Sequence, residues 1–230
     1  MSKIKLRFIS TPIYINRKEY KVLKPFNDFH NIYVNEITTK VFSIFGNESE
    51  LKTLANLLYL LKRHKDIIIY LPLRKNPQST YLKNRFNYSV QHDMVLLHHS
   101  VQLNTKDWKW IRNKFDNYNL IEICFEVDLP EWDKEEQLKG YGRVYYKENN
   151  DLLDLKSYAE TLFIVGSSKP FYFLSYDVDY VSLNGRETFN NQPGFHEHEH
   201  IDYLRKPYNS NKGNGFALSV NFYDQELWGV

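Results

Sequence analysis

The sequence predicts an α/β to α+β fold: a mixed β-sheet built from about three strand–helix–strand units plus an N-terminal β-hairpin, with helices packed on the sheet. Three observations point there. Apolar residues alternate at period two near both ends of the chain. They recur at helical spacing in a capped segment after Asn47. Strand-like and helix-like stretches then follow one another along the chain.

Ile4, Leu6 and Phe8 alternate with Lys3, Lys5 and Arg7, which gives an extended segment one apolar face. Residues 13–15 and 20–23 flank the polar run Asn16-Arg17-Lys18-Glu19 and predict a hairpin. Residues 41–45 predict another strand. Asn47 and Glu50 have capping-box spacing ahead of a helix carrying Leu51, Leu54, Leu57, Leu58 and Leu61, with Lys62, Arg63 and Lys65 at its end, where cations suit the helix dipole. A strand over 67–73 closes this first unit. A second unit runs from a strand over 94–101, through a helix capped by Asn104 or Thr105 and carrying Trp108, Ile111 and Phe115, to a strand over 120–127. A third is expected from a strand at 143–146 through a helix near 152–162 to a strand over 171–183. Parallel neighbours within a unit would need right-handed crossovers, and the hairpin adds antiparallel pairing, so a mixed sheet is expected. Residues 74–88 and 184–215 read as irregular, the latter unusually long. Residues 217–222 predict a last strand with Phe216, Leu218, Val220 and Phe222 on one face.

At 230 residues with 42% hydrophobic content, one domain over 1–230 is expected, the alternative being two lobes divided near 117–142. No apolar run approaches the roughly 20 residues that span a bilayer, and the N-terminus lacks the apolar segment of a signal peptide. One cysteine, Cys124, leaves no internal disulfide. A cytoplasmic protein is the expectation. The net charge of +2 conceals an imbalance: residues 1–116 hold 20 Lys/Arg and 9 Asp/Glu (+11), and residues 117–230 hold 10 and 19 (−9). Either the halves present separate surfaces, or they interleave and their fields cancel; a sum along the chain does not distinguish the two.

The most conspicuous local feature is His196-Glu197-His198-Glu199-His200. In an extended chain the three imidazoles share one side and the glutamates the other, so His196, His198 and His200 are candidate ligands for a divalent metal; the alternative is a solvated charge cluster. Asp177 and Asp179 follow an apolar run, and paired acids after a strand can hold a metal and a phosphate. The same alternation also places them on the polar face of a strand. His98, His99 and Cys124 fall in expected strands with a structural role as the simpler reading. The phosphate-binding, dinucleotide-binding and serine-elbow glycine motifs are absent from the sequence. Trp110 lies two residues from Trp108, about 200° around a helix, and so should face away from the core toward a second layer or a partner. Trp132 sits among Glu131, Asp133, Glu135 and Glu136, a composition suited to a protein contact.

Three functions are therefore expected in order. The first is a non-catalytic intracellular protein-binding or inhibitory protein without a cofactor. A bacterial immunity protein neutralising a basic toxin domain through Trp110, Trp132, Glu131, Asp133, Glu135 and Glu136 is an example. The second is a metal-dependent hydrolase or transferase acting on phosphate-containing substrates through the 196–200 cluster with Asp177 and Asp179. The third is a nucleic-acid-binding protein using the basic first half, a reading the acidic second half opposes.

Overall fold

Strand β1 (Ile4–Ile15) and β2 (Lys18–Pro25) form the expected N-terminal hairpin, with Ile15 opposite Lys18 across a two-residue turn. The computed structural model describes residues 4–86, 89–114, 121–132, 151–192, 196–201 and 215–228. Leu6 and Phe8 are buried while Lys5 and Arg7 are exposed, as the alternation requires. The chain continues through β3 (Ile32–Thr38), β4 (Val41–Gly46), helix α1 (Glu48–Arg63) and β5 (Ile67–Leu71). The Asn47 side chain accepts a hydrogen bond from Glu50 N at the start of α1. A short helix α2 (Thr80–Arg85) and the two-residue strand β6 (Val90–Gln91) lead into β7 (Asp93–His98). A 3-10 turn capped by Asn104 opens helix α3 (Trp108–Asn113), and β8 (Ile121–Val127) follows. Then come β9 (Asp154–Ser157), β10 (Thr161–Gly166), helix α4 (Ser168–Asn191), β11 (His198–His200), β12 (Ala217–Phe222) and the single turn α5 (Gln225–Trp228).

The fold is α+β with two mixed sheets. Seven strands form one in the order β8-β1-β2-β5-β7-β10-β9, and five form the other in the order β11-β12-β4-β3-β6. Pairs β2–β5, β7–β10 and β4–β12 are parallel and the remainder antiparallel. The two long helices α1 and α4 pack against each other, and each carries the chain from one sheet to the other. The main core gathers residues of both sheets and both helices, among them Phe8, Ile69, Leu96, Ile44, Val220, Leu58 and Val178. On its far side the seven-stranded sheet is covered around Trp108, which meets Tyr70 edge-on at 5.1 Å. That sheet is therefore apolar on both faces, and Ile67–Leu71 is buried throughout. Among the described residues no helix is long and apolar enough to cross a membrane.

Several sequence expectations are corrected. The strand–helix–strand units do not share a single sheet, because α1 links β4 in one sheet to β5 in the other. The helix expected near 152–162 is instead the hairpin β9–β10, turning at Ala159 and Glu160, both at positive φ. Leu153 and Leu155 point inward at period two, whereas the leucine spacing had also matched a helix. The strand expected over 171–183 lies inside α4. Tyr172, Leu174, Tyr176, Val178 and Tyr180 alternate, but Phe171, Leu174, Val178, Val181 and Gly185, all buried, fit a helical stripe better. Ser167 caps this helix, and Pro170 sits in its first turn, where a missing N–H costs nothing. Residues 74–88 contain α2, and 184–215 begins as the last turns of α4 and includes β11. The strand expected at 143–146 lies outside the described residues, as does Phe115.

Candidate functional site

In the five-stranded sheet, each strand turns one face to the core and the other outward. Leu218, Val220 and Phe222 of β12 go inward, so Ala217, Ser219 and Asn221 go outward. The register places Val41, Ser43 and Phe45 beside them on β4, and His200 and His198 beside Ser219 and Asn221 on β11. A polar row thus crosses the outer face from His200 through Ser219, Ser43 and Asn35 to Gln91.

These buried polar groups satisfy one another. The hydroxyls of Ser43 and Ser219 are 2.9 Å apart. Asn221 Nδ2 donates to Ser219 Oγ at 3.1 Å and to the Ile44 carbonyl at 3.2 Å. Asn35 accepts from Gln78 Nε2 at 2.7 Å and donates to Ser89 Oγ at 3.0 Å. These shared hydrogen bonds order the Ser43, Ser219, Asn221 and Asn35 side chains of the floor.

Short elements wall this floor. Helix α2 lays Tyr81 flat on Tyr223, with ring centroids 5.9 Å apart and planes inclined by 11°. Its capping Ser79 also hydrogen-bonds the Tyr223 hydroxyl. Phe86 contacts Phe45 at 5.2 Å. Trp228 of α5 packs on Tyr223 at 5.6 Å and on Phe189 of α4 at 4.1 Å. The result is a cleft of about 440 Å³ lined by Phe45, Tyr81, Phe86, Tyr223 and Trp228, with the three histidines of the β11 segment along one side. Burial raises the Tyr223 phenol, and it drives the Tyr33 phenol on the same face up to about 12, so both remain protonated donors.

The extended geometry expected for residues 196–200 holds. His196, His198 and His200 line the cleft. Glu197 lies against α4, accepting from Thr188 Oγ1 at 2.7 Å. Successive rings are 5.2 and 5.1 Å apart, the second pair nearly perpendicular. Burial, then the neighbouring His198 and then Arg85, hold the His196 imidazole below its usual range, against a hydrogen bond that His196 donates to Asn221. At neutral pH His196 is therefore an uncharged group with one donor and one acceptor nitrogen. His198 Nδ1 lies 3.3 Å from the His196 carbonyl. Among the described residues no group of three or more His, Cys, Asp or Glu side chains is arranged to hold a metal ion.

Asp177 and Asp179 do not join the histidines. Both are buried on α4, two residues apart and hence pointing about 200° away from each other. Asp179 accepts from Lys52 Nζ at 2.6 Å and from Trp132 Nε1 at 2.8 Å. Trp132 is half-buried there, with Tyr172 and Tyr176 each 5.4 Å away, while Glu131 is exposed. Asp133, Glu135 and Glu136 lie outside the described residues. Trp110 does face away from the buried Trp108; it is 59% exposed, with Lys114 Nζ 3.4 Å above its ring. His98 is buried and accepts from Ser100 N, and Cys124 is exposed on the edge strand β8.

Sequence reasoning missed most of this cleft. Ser219 and Asn221 were visible only as the residues between the apolar positions of β12. Tyr81 and Arg85 fell in a stretch read as irregular, although Ser79 before them is a usable cap signal. Comparison with protein-family models, with curated proteins and with solved structures finds no match for this chain.

Proposed function

We propose that this chain is a non-catalytic binding protein and that the cleft on the outer face of the five-stranded sheet receives its ligand. One observation carries the reading: an aromatic-walled concavity of about 440 Å³ stands on a floor of ordered polar groups. Binding pockets for small molecules have this size and this pairing of apolar walls with a few fixed hydrogen-bonding groups. The side chains present suit holding rather than reacting. The Ser43 and Ser219 hydroxyls are bonded to each other and Ser219 also accepts from Asn221, and among the described residues neither is bonded to a base that would activate it. Residence in the cytoplasm is part of the same proposal and rests on the single cysteine.

The test is to titrate a fragment library, neutral members included, into isotope-labelled full-length protein and map the amide shifts. Shifts clustered on residues 41–45, 81–86, 196–200 and 217–223 support the reading. Shifts centred on Trp110 would move recognition to the α3 surface, where a macromolecular partner would dock. A silent library at millimolar concentration would overturn the cleft as a ligand site. Zinc titrated into the tag-free protein separates the metal-dependent alternative, which requires stoichiometric uptake that is lost in His198→Ala.

A further inference from the structure

We propose that the ligand of this cleft is an organic anion: a carboxylate, or a group of like charge, on a flat apolar body, with Arg85 as the anchor of the charge. The inference deepens the binding reading above and depends on it. Charge at the cleft is one-sided. Arg85 is the one Lys or Arg among the described lining residues, and no Asp or Glu is among them.

The other arginines near acids are already occupied. Arg7 binds Glu122, Arg74 binds Glu160, Arg112 binds Asp93, and Arg186 bridges Glu48 and Asp224. Arg85 has no ion pair or hydrogen bond among the described residues. Its guanidinium stands 6.0 Å from the centre of the Tyr81 ring and 5.8 Å from that of Phe86. An arginine flanked by rings at the edge of an apolar concavity offers a planar fork of donors beside a surface for a flat body. Its field reaches the floor, since it disfavours a proton on His196. A negative group would relieve that one-sidedness, whereas a cation would meet Arg85 without a compensating acid. Behind the charge, the Tyr81, Phe86, Tyr223 and Trp228 rings supply contact for an aromatic or similarly flat group. The His196 imidazole adds a neutral hydrogen-bonding group.

The experiment uses matched carboxylate and carboxamide pairs on one-, two- and three-ring aromatic bodies, titrated calorimetrically into the full chain. Wild type should bind the best carboxylate at least about tenfold tighter than its amide, the ratio expected of one charge-assisted contact. Arg85→Gln should bring that ratio to within about twofold, while Lys83→Gln, on the same helix but outside the lining, should leave it unchanged. Thermal unfolding of each variant verifies that it is folded. Equal binding of acid and amide, or a preference that survives Arg85→Gln, overturns the anion assignment while leaving the cleft as a binding site. Failure of every pair, together with a silent fragment library, overturns both.

Discussion

Asn16 and Arg17 make the tight turn of the first hairpin with φ of 51° and 66°. Asparagine tolerates this left-handed region, but arginine does so only at a cost, and Asn-Gly is the preferred pair for a two-residue turn of this kind. Arg17→Gly should therefore stabilise the protein by about 0.5–1 kcal/mol, read from the urea midpoint at constant slope. Glu50 illustrates a capping signal put to another use. Its carboxylate does not return to the cap but accepts from His30 N at 2.9 Å and Asn31 N at 2.8 Å, tying the β2–β3 loop to the start of α1. His98 supplies a pH dependence. Burial, then His99 and Lys65, lower its imidazole to about 4 from an ordinary 6.5. The unfolded chain thus takes up a proton at a higher pH than the native one. The stability His98 contributes is complete above about 6.5 and is lost as pH falls through that window toward 4. His98→Asn keeps an acceptor for Ser100 N but cannot titrate, so a plot of stability against pH should be flatter between 6.5 and 4 in this variant; an unchanged slope would assign the acid sensitivity to other groups.

Among the elements, α4 is where local pattern and tertiary demand diverged most. Its tyrosines alternate with polar residues as a strand's would, yet its buried stripe has helical spacing because it packs at once on α1 and on β12. The crossing over β12 is close. A Cβ on Gly185 would lie 2.1 Å from Cγ of Phe222. Gly185→Ala should destabilise by about 2–3 kcal/mol through forced separation of helix and sheet, even though alanine is the better helix former. Chemical denaturation measures this, and a neutral or stabilising result would mean that α4 can slide on the sheet. Helix also decides the fate of Asp177 and Asp179. As strand residues they would have shared a face; on α4 they part, and Asp179 becomes the acceptor that joins Lys52 of α1 to Trp132.

For the whole molecule, the charge division along the chain is undone by topology. β8 lies beside β1, β10 beside β7, and β12 beside β4, so both sheets mix the basic first half with the acidic second. Arg7–Glu122, Lys52–Asp179 and Arg74–Glu160 join cations of the first half to acids of the second. The two halves are therefore expected to fold only together. A fragment of residues 1–116 should give a collapsed amide spectrum without the dispersion of the full chain, and so should 117–230; a well-dispersed spectrum from either alone would contradict this interleaving. The cleft has the same origin, since its walls come from segments around residues 41, 81, 196 and 217.

Periodicity and capping are local properties, so the hairpin at Asn16, the helix after Asn47, the helix at Trp108 with Trp110 turned outward and the strand ending at Phe222 were legible in the residues themselves. So was the division of 196–200 into a histidine side and a glutamate side. The sequence by itself determined which residues could face a core. Only the tertiary structure decided that there are two sheets joined by α1 and α4, that 171–183 is helix, and that the histidines share one cleft with Arg85, Tyr81 and Tyr223. Those outcomes depend on strand partners and register, set by contacts such as Ser43–Ser219 between residues far apart in the chain, which no local spacing encodes.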